Sequence, residues 1–388
     1  MPKILVTDGR SLAALAIVRS FGEKGFEVHI GEEFGLNVSR FSKHTKRYLE
    51  YPSPEVHPEE FIEYLINVTK KNSYDMIIPV RDTTTLEIAK HKKKFEAYTR
   101  LYLADSDRIN ILRDKGQTIK LAGKAGIPHP LTFFPEDTDM DEILDNMSLP
   151  FLIRARVSSG SRGIEYIKNV ENFKNNYEFI KSKFGEPIIQ EYINKKGYST
   201  ACILLDDNSE EVASFTYRRI KEYPINGGPT VVGISCDDQE IKKMAISLLK
   251  ANKWKGVAEV EFIIDQFNKP MLLEVNPRFW MPLNLAIKSG VDFPYLLYRL
   301  ANGEKVNKSD KYKIGMKYRW VFPNEILWLF KTENKTQGLK DILSFRGKNI
   351  CYSTWSWFDP MPMIGILLQS AYFLTNKELR GTIFNRGW

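Results

Sequence analysis

The sequence that decides the fold is GVAEVEFIIDQFNKPMLLEVNPRFW, which occupies residues 256–280. Two apolar segments within it, 257–264 and 271–275, have the length and composition of strands. The polar segment between them contains Asn and Pro and is typical of a hairpin connection. We therefore predict an antiparallel hairpin that is closed by residues 266–269.

This hairpin predicts two facing glutamates. Its register pairs Asp265 with Pro270 and places Glu261 opposite Glu274, and Asn276 shares the face of Glu274 because strand side chains alternate. Like charges directly opposite each other destabilise a sheet. A Mg²⁺ ion would compensate, since it takes oxygen ligands from carboxylates, and Glu274→Gln should then keep or raise the stability of the metal-free protein. The alternatives are a shifted register or a solvated face with basic neighbours.

The spacing of these residues resembles that of the ATP-grasp superfamily, whose ligases carry an acidic residue on one strand and Glu-x-Asn thirteen positions later. Glu261, Glu274 and Asn276 have this spacing. Pro277 and Arg278 extend it to the E-x-N-P-R form found among carboxylate–amine ligases such as D-aspartate ligases, and among carbamoyl-phosphate-synthase-like proteins. The resemblance implies that the first three residues bind Mg²⁺, or Mn²⁺ in its place. It also implies that Arg278 is catalytic and orients the substrate carboxylate.

Two earlier segments extend the resemblance. Lys115 opens a predicted helix, and the resemblance implies that it contacts nucleotide phosphate. Residues 149–164, LPFLIRARVSSGSRGI, match the strand and glycine-rich loop that close over the phosphates in this family. Small residues let backbone amides approach phosphate oxygens. The ATP contacts predicted in this loop, beside Ser158, are Ser159, Gly160, Ser161 and Gly163.

One position departs from the family pattern. Arg154 stands on the strand where relatives usually have lysine. Arginine keeps the positive charge but offers a planar fork in place of a point charge. We expect Arg154 to bind ATP and to act in catalysis, with Arg156 and Arg162 as further phosphate or substrate candidates.

The segment IIQEYI at residues 188–193 resembles the hinge that holds adenine between the two lobes. The resemblance implies that the Glu191 carbonyl accepts from the adenine amino group and that the Ile193 amide donates to the ring. The neighbouring Gln190 and Tyr192 complete this predicted ATP-binding segment. The acidic residue that many relatives use for the ribose hydroxyls is missing from NKKGYST at 194–200.

The N-terminal residues predict a doubly wound parallel sheet of the α/β class. Strands are predicted at 3–7, 26–30, 74–80 and 100–105, with a helix at 12–24. The turn before that helix lacks G-x-G-x-x-G, so a dinucleotide site is not indicated. Its Ser11 is either a helix N-cap or part of a site for an anionic substrate group.

We predict three parts for the whole chain. Residues 1–113 form the N-terminal domain with the parallel sheet. Residues 114–305 form a two-lobed ATP-grasp α+β domain, with a small lobe at 114–187 and a large lobe at 188–305. Residues 306–388 form a C-terminal extension without a motif that we can assign.

The extension contains MPMIGILLQSAYFL at 361–374, fourteen residues without a charge. This is shorter than the roughly 20 residues that cross a bilayer. We expect a buried helix in which Ile364, Leu367 and Leu368 belong to the core. The alternative is a peripheral membrane contact through 355–380, which has tryptophans before the helix and Lys377 and Arg380 after it.

Composition excludes several classes of protein. The 56 Lys and Arg against 48 Asp and Glu give a charge of +8, which suits anionic substrates, and without a dense basic run we expect no nucleic-acid partner. Three scattered cysteines and no signal peptide favour a cytoplasmic or membrane-peripheral protein. All five histidines precede residue 130, which disfavours Ser-His-Asp hydrolases and zinc enzymes. The oligomeric state stays open.

These features predict an ATP-dependent ligase that activates a small carboxylate as an acyl phosphate and transfers the acyl group to an amine. One alternative is an enzyme that phosphorylates bicarbonate or carbamate. The other is a nucleotide-binding module without turnover, which the arginine at 154 and the missing ribose acid favour.

Overall fold

The computed structural model describes residues 1–158, 162–225, 227–344 and 347–376. Its N-terminal part is built around a parallel sheet of order β3-β2-β1-β4. Ile4 and Val6 of β1 enter one buried cluster and Leu5 enters another, so the sheet is covered on both faces. The elements of this part are β1 (Lys3–Val6), α1 (Leu12–Glu23), β2 (Glu27–Glu32), β3 (Thr45–Glu50), α2 (Pro58–Asn72), β4 (Met76–Ile78), α3 (Asp82–Lys90), α4 (Lys92–Glu96) and α5 (Ser106–Arg113).

The predicted parallel sheet is confirmed, with one wrong strand. Residues 100–105 make a single bridge from Arg100 to Met76 and do not form a strand. The edge strand β3 was not predicted, because three of the six residues in its sequence TKRYLE are charged and its apolar residues do not alternate with polar ones. Ser11 caps α1, since its hydroxyl accepts from the amide of Ala13 at 3.2 Å.

A small antiparallel sheet of order β5-β8-β6-β7 follows. Its inner face packs on α8 around Phe151, Ile153 and Ile189, which forms a separate buried cluster. The elements of this lobe are α6 (Lys115–Lys124), β5 (Thr132–Phe133), α7 (Met140–Asn146), β6 (Phe151–Arg154), β7 (Ile164–Ile167), α8 (Phe173–Phe184) and β8 (Ile188–Glu191).

The rest of the described chain surrounds a seven-stranded sheet of order β13-β12-β9-β10-β11-β14-β15. Two of these strands, β14 and β15, come from the segment after residue 305, so that segment extends the sheet of the large lobe. The elements are β9 (Lys195–Leu205), β10 (Glu211–Glu222), β11 (Thr230–Cys236), α9 (Gln239–Ala251), β12 (Gly256–Asp265), β13 (Pro270–Asn276), α10 (Leu283–Ser289), α11 (Phe293–Ala301), β14 (Lys317–Arg319), α12 (Ile326–Lys331), α13 (Lys335–Leu343), β15 (Ile350–Tyr352) and α14 (Pro362–Thr375).

The hairpin of β12 and β13 has a bulge. Ile264, not Asp265, lies opposite Pro270, so the predicted pairing at the turn is wrong. The register then shifts by one residue at Leu273, and beyond the shift Glu261 lies opposite Glu274 as predicted. The bulge thus restores the pairing that the turn alone would have displaced.

The uncharged segment forms α14, but the helix is only half buried. Ile366, Gln369 and Phe373 face the protein, whereas Ile364, Leu367 and Leu368 are exposed. The expectation that these last three residues belong to the core is therefore wrong. The inner face is held by Gln369, which accepts from the amide of Val38 at 2.8 Å and donates to the Arg10 carbonyl at 3.1 Å. Within the described ranges, no helix has both the length and the apolar character needed to cross a bilayer.

Candidate functional site

A cavity of about 1150 Å³ opens between the N-terminal part, the small lobe and the large sheet. Three walls meet there because the carboxyl ends of β1 and β4, the end of β6 and the hairpin of β12 and β13 point toward one region. Most of the predicted site residues line it. Those that do are Lys115, Arg154, Gln190, Glu191, Tyr192, Ile193, Glu261, Glu274, Asn276 and Arg278.

The hairpin contributes a row of acidic and amide side chains. Glu261 lies opposite Glu274, and Glu259 lies opposite Asn276. The Asn276 amide nitrogen donates to Glu259 at 3.0 Å and to Glu261 at 3.2 Å. Glu259 was not predicted, although its position two residues before Glu261 places it on the same face.

Each carboxylate of the facing pair is bound to a cation of the protein. Arg154 Nη2 lies 2.9 Å and Lys115 Nζ lies 3.7 Å from the same oxygen of Glu274. Arg219 forms an ion pair with Glu261. Arg154 is only 4% exposed and Lys115 only 7%, so these pairs are shielded from water. The compensation that the paired glutamates require therefore comes from Arg154, Lys115 and Arg219.

The pKa of each carboxyl group depends on the balance between its burial and the charges around it. Burial pushes the pKa of Glu274 upward, but Lys115 and Arg154 outweigh it and hold this pKa below its ordinary value. Burial and then the charge of Glu261 raise the pKa of Glu259 to about 8. Glu274→Gln is therefore expected to lower the stability rather than keep or raise it, because Lys115 and Arg154 stabilise the Glu274 carboxylate although it repels Glu261.

The donors of the hairpin fit a hard divalent cation. Among the residues that the structure describes, no group of three or more His, Cys, Asp or Glu side chains is arranged to hold a metal ion. Glu261 and Glu274 nevertheless place two carboxylates on one face beside the amide of Asn276. Mg²⁺ is commonly held by one or two carboxylates, with waters and phosphate oxygens completing its octahedron. The set thus fits Mg²⁺ that arrives with a phosphate chain, and does not form a complete protein cage.

Arg154 is held in place by three different groups. Its Nη1 donates to the side-chain oxygen of Gln190 at 3.0 Å and to the carbonyl of Leu273, the bulge residue, at 3.2 Å, while Nη2 contacts Glu274. Gln190 is itself fixed by a 2.9 Å bond to Thr132. The Gln190 side chain therefore positions Arg154, and the remaining hinge residues of the predicted segment line the cavity beside it.

Lys115 connects the start of α6 to the glycine-rich segment. Its Nζ donates to the carbonyl of Ser158 at 3.0 Å, and its amide donates to the carbonyl of Arg156 at 2.9 Å. Arg156 pairs with Asp114 at 3.0 Å and with Glu136 at 2.6 Å. Three predicted ATP contacts, Ser159, Gly160 and Ser161, lie outside the described residues.

Gly163 has a structural reason for being glycine. Its φ is +67°, and a Cβ atom there would lie 2.5 Å from that of Ala155. Its carbonyl accepts from the Ala155 amide at 2.7 Å, which joins the end of β6 to the start of β7. Gly163 therefore shapes the return of the loop, and its predicted contact with phosphate stays a prediction.

Arg278 links the hairpin to the N-terminal part. Its Nε donates to Asp82 at 2.7 Å, and its Nη2 donates to the side-chain oxygen of Asn276 at 3.0 Å. Asp82, the first residue of α3, was not predicted, because its contact with Arg278 spans 196 positions of sequence. The guanidinium thus stands at the point where the N-terminal sheet meets the acidic hairpin.

The chain resembles known proteins over the region that builds this cavity. Residues 112–282 match the ATP-grasp domain family. A pyruvate carboxylase from Pichia angusta is 22% identical over 263 residues, which are 64% of this chain and 22% of that protein. A D-alanine–D-alanine ligase from Pelotomaculum thermopropionicum is 23% identical over 212 residues, 48% of this chain and 66% of that enzyme. The chain thus spans about a fifth of the length of the pyruvate carboxylase.

Solved structures show the same fold. The biotin carboxylase domain of the Hydrogenobacter thermophilus 2-oxoglutarate carboxylase, crystallised with MgADP, ADP and bicarbonate, superimposes with a TM-score of 0.64 at 18% identity. The match covers 81% of this chain and 73% of that one. With the family match over residues 112–282, this likeness shows that the chain contains an ATP-grasp domain.

Proposed function

We propose that the chain is an ATP-dependent ligase that converts a small carboxylate into an acyl phosphate and transfers the acyl group to an amine. The observation that carries this proposal is the meeting of three groups in one cavity. The buried cations Lys115 and Arg154 contact Glu274, the acid pair faces the same space, and Arg278 stands beside it.

The ion pairs of the site suggest how it would accept a nucleotide. Arg154 and Lys115 would move from Glu274 onto the phosphate oxygens of the nucleotide, because the phosphate chain carries more negative charge than one carboxylate. Glu274, freed of its cations, would then hold Mg²⁺ together with Glu261 and Asn276. When bound, Mg²⁺ neutralises charge on the β- and γ-phosphates during phosphoryl transfer.

The chemistry needs two displacements. An oxygen of the substrate carboxylate attacks the γ-phosphorus of ATP, the bond to the β-phosphate oxygen breaks, and ADP leaves. The amine then attacks the acyl carbon, its nitrogen loses a proton, and inorganic phosphate leaves with the electrons of the carbon–oxygen bond. Arg278 would orient the carboxylate and stabilise the oxyanion of the tetrahedral intermediate. Its bond to Asp82 fixes the guanidinium for this task.

The end of the cavity that lies at the N-terminal sheet, which we call its far end, supports an amino acid as a substrate. Side chains from the carboxyl ends of β1, β2 and β4 line it, and they include Arg10, Glu33 and Arg81. Arg81 lies 3.9 Å from Glu33 and keeps a partly exposed guanidinium. A site with both signs of charge suits a ligand that carries a carboxylate and an ammonium group.

A second candidate reaction is phosphorylation of bicarbonate or carbamate. It is favoured by the similarity to pyruvate carboxylase and by the fold shared with a biotin carboxylase domain crystallised with bicarbonate. The charged far end of the cavity favours the larger substrate. A non-catalytic nucleotide-binding module remains the third candidate, on the basis of the arginine at position 154.

The deciding experiment measures ADP release from ATP and Mg²⁺ with single amino acids, with pairs of amino acids, and with bicarbonate. Release that requires an amino acid supports the ligase. Release that bicarbonate alone supports would favour the second reaction. Tight ATP binding without any ADP release would leave the non-catalytic module.

A further inference from the structure

The outer face of α14 is a continuous apolar surface. Helical spacing places Ile364, Leu367, Leu368 and Leu374 on one side of the helix, and all four are exposed. Trp357 and Phe358, in the loop before the helix, are 77% and 82% exposed. We call these six residues the α14 face.

The α14 face carries no charge. From Thr354 to Asn376 the only ionisable acid or base is Asp359, apart from tyrosine. Asp359 is turned inward, where it is 2% exposed and pairs with the buried Arg19 at 2.9 Å. Scattered exposed apolar residues are ordinary, whereas a contiguous apolar surface marks a site of contact.

Two exposed basic side chains, Lys43 and Arg40, lie near the α14 face, and the Glu50 carboxylate lies near Arg40. The amide of Lys43 donates to Asp359 at 2.8 Å, which places the exposed Lys43 beside Phe358. Arg40, also exposed, belongs to the 3-10 helix Val38–Phe41, which packs on α14 where Phe41 meets Gly365. The sequence after α14, KELRGTIFNRGW at 377–388, has three basic residues and one acidic residue.

These observations favour one binding partner for the α14 face. We propose that the α14 face docks on the surface of an anionic lipid bilayer, with α14 lying in the interface. An apolar helix face flanked by tryptophan and by basic residues suits the boundary between headgroups and acyl chains. A symmetric contact with a second copy would bring Lys43 and Arg40 of both copies to one interface, where like charges repel.

The docking uses the side of α14 that does not line the cavity. The inner face of α14 contributes Ile366 and Phe373 to the cavity wall, and Gln369 fixes the helix to the N-terminal part. Because these contacts use the opposite side of the helix, the α14 face is free to bind lipid in the folded protein. The proposal is independent of which reaction the cavity performs.

The test is co-sedimentation of the full chain with vesicles of phosphatidylcholine, with and without phosphatidylglycerol. We expect binding to the anionic vesicles, weakened by salt and reduced at least about tenfold in Ile364→Ser/Leu367→Ser/Leu368→Ser. The matched control is Phe267→Ser/Ile314→Ser, which removes two other exposed apolar side chains, 71% and 58% exposed, and should bind like the wild type.

A second measurement follows tryptophan fluorescence in the wild-type protein. Trp357 fluorescence should shift to the blue on binding anionic vesicles, and the shift should be lost in Trp357→Phe. The proposal is overturned if the wild type stays in the supernatant, or if the triple variant binds as well as the wild type. It is also overturned if the wild type dimerises through this face, the triple variant is monomeric, and neither binds vesicles.

Discussion

At the scale of single residues, the contact between Arg154 and Glu274 is central to the site. Arg154 makes three hydrogen bonds in directions that a lysine ammonium cannot reproduce together, and this explains why an arginine is accommodated at this position. Arg154 therefore makes a contact with the bulge residue Leu273 in addition to supplying the positive charge that a lysine would supply.

Arg154→Met removes the charge while keeping much of the side-chain volume. We expect ATP affinity to fall at least about tenfold, since a charge-assisted contact to phosphate is lost. Arg154→Lys should retain most of the affinity. Calorimetric titration of both variants with MgATP tests this, and equal affinity of wild type and Arg154→Met would remove Arg154 from the nucleotide site.

The residues that could be predicted from sequence are those set by local periodicity. Glu274 and Asn276 share a face by alternation along β13, whereas Glu261 faces Glu274 only because a bulge offsets the wrong turn register. Asp82 and Arg219 could not be predicted, because they reach the site from distant segments through packing that no local pattern reports. The exposure of Leu367 was also missed, since a segment that is apolar on all sides does not show which side faces the protein.

At the scale of elements, α14 is anchored by a buried ion pair. Arg19 of α1 is 5% exposed, contacts Asp359 at 2.9 Å, and donates to the carbonyl of Thr354 at 2.7 Å. Asp359 also accepts from Ser42 and from the amide of Lys43. This network ties the segment before α14 to the N-terminal part.

Asp359→Asn should destabilise the protein by about 3 kcal/mol or more, because it leaves the Arg19 charge buried and unpaired. The matched control is Asp137→Asn, which breaks the exposed pair with Lys120 and should cost about 1 kcal/mol or less. Urea denaturation of the three proteins measures the difference. Equal free energies of unfolding for the two variants would contradict the anchoring role.

The same network predicts a pH dependence. Burial pushes the pKa of Asp359 upward, but the amide of Lys43, Arg19 and Ser42 hold it below its ordinary value. The stabilisation is therefore present above the unfolded pKa of about 4 and is lost as the pH falls through the lower folded value. The gap in melting temperature between wild type and Asp359→Asn should narrow below about pH 4, and a gap that widened there would contradict the assignment.

Several elements were predictable and others were not. A helix at 114–125, observed as α6, and the hairpin of β12 and β13 were expected from the sequence. The strands β14 and β15 were missed because each has three residues and is stabilised by neighbours that are distant in sequence. Strands this short carry too little pattern to be distinguished from loops.

At the scale of the whole molecule, the cavity is shared by parts of the chain that are far apart in sequence. Lys115, Arg154 and Glu274 come from different elements and meet only in the folded state. A ligand that bridges them binds the native state alone and stabilises it by mass action. MgATP should therefore raise the melting temperature, by several degrees near saturation, and GTP should raise it less. Absence of any shift at millimolar MgATP would contradict a nucleotide site in this cavity.

The measurement that tests the central claim most directly is substrate-dependent ADP formation by wild type and Glu274→Gln, beside the melting temperature of each without Mg²⁺. The variant leaves Arg154 and Lys115 without their buried counter-charge, so its melting temperature should fall by a few degrees. ADP formation, assayed well below both melting temperatures, should fall by about a hundredfold or more, because a ligand for the metal is lost. Glu261→Gln, the other member of the pair, should lose activity to a similar extent. A Glu274→Gln protein that forms ADP at the wild-type rate would contradict the account.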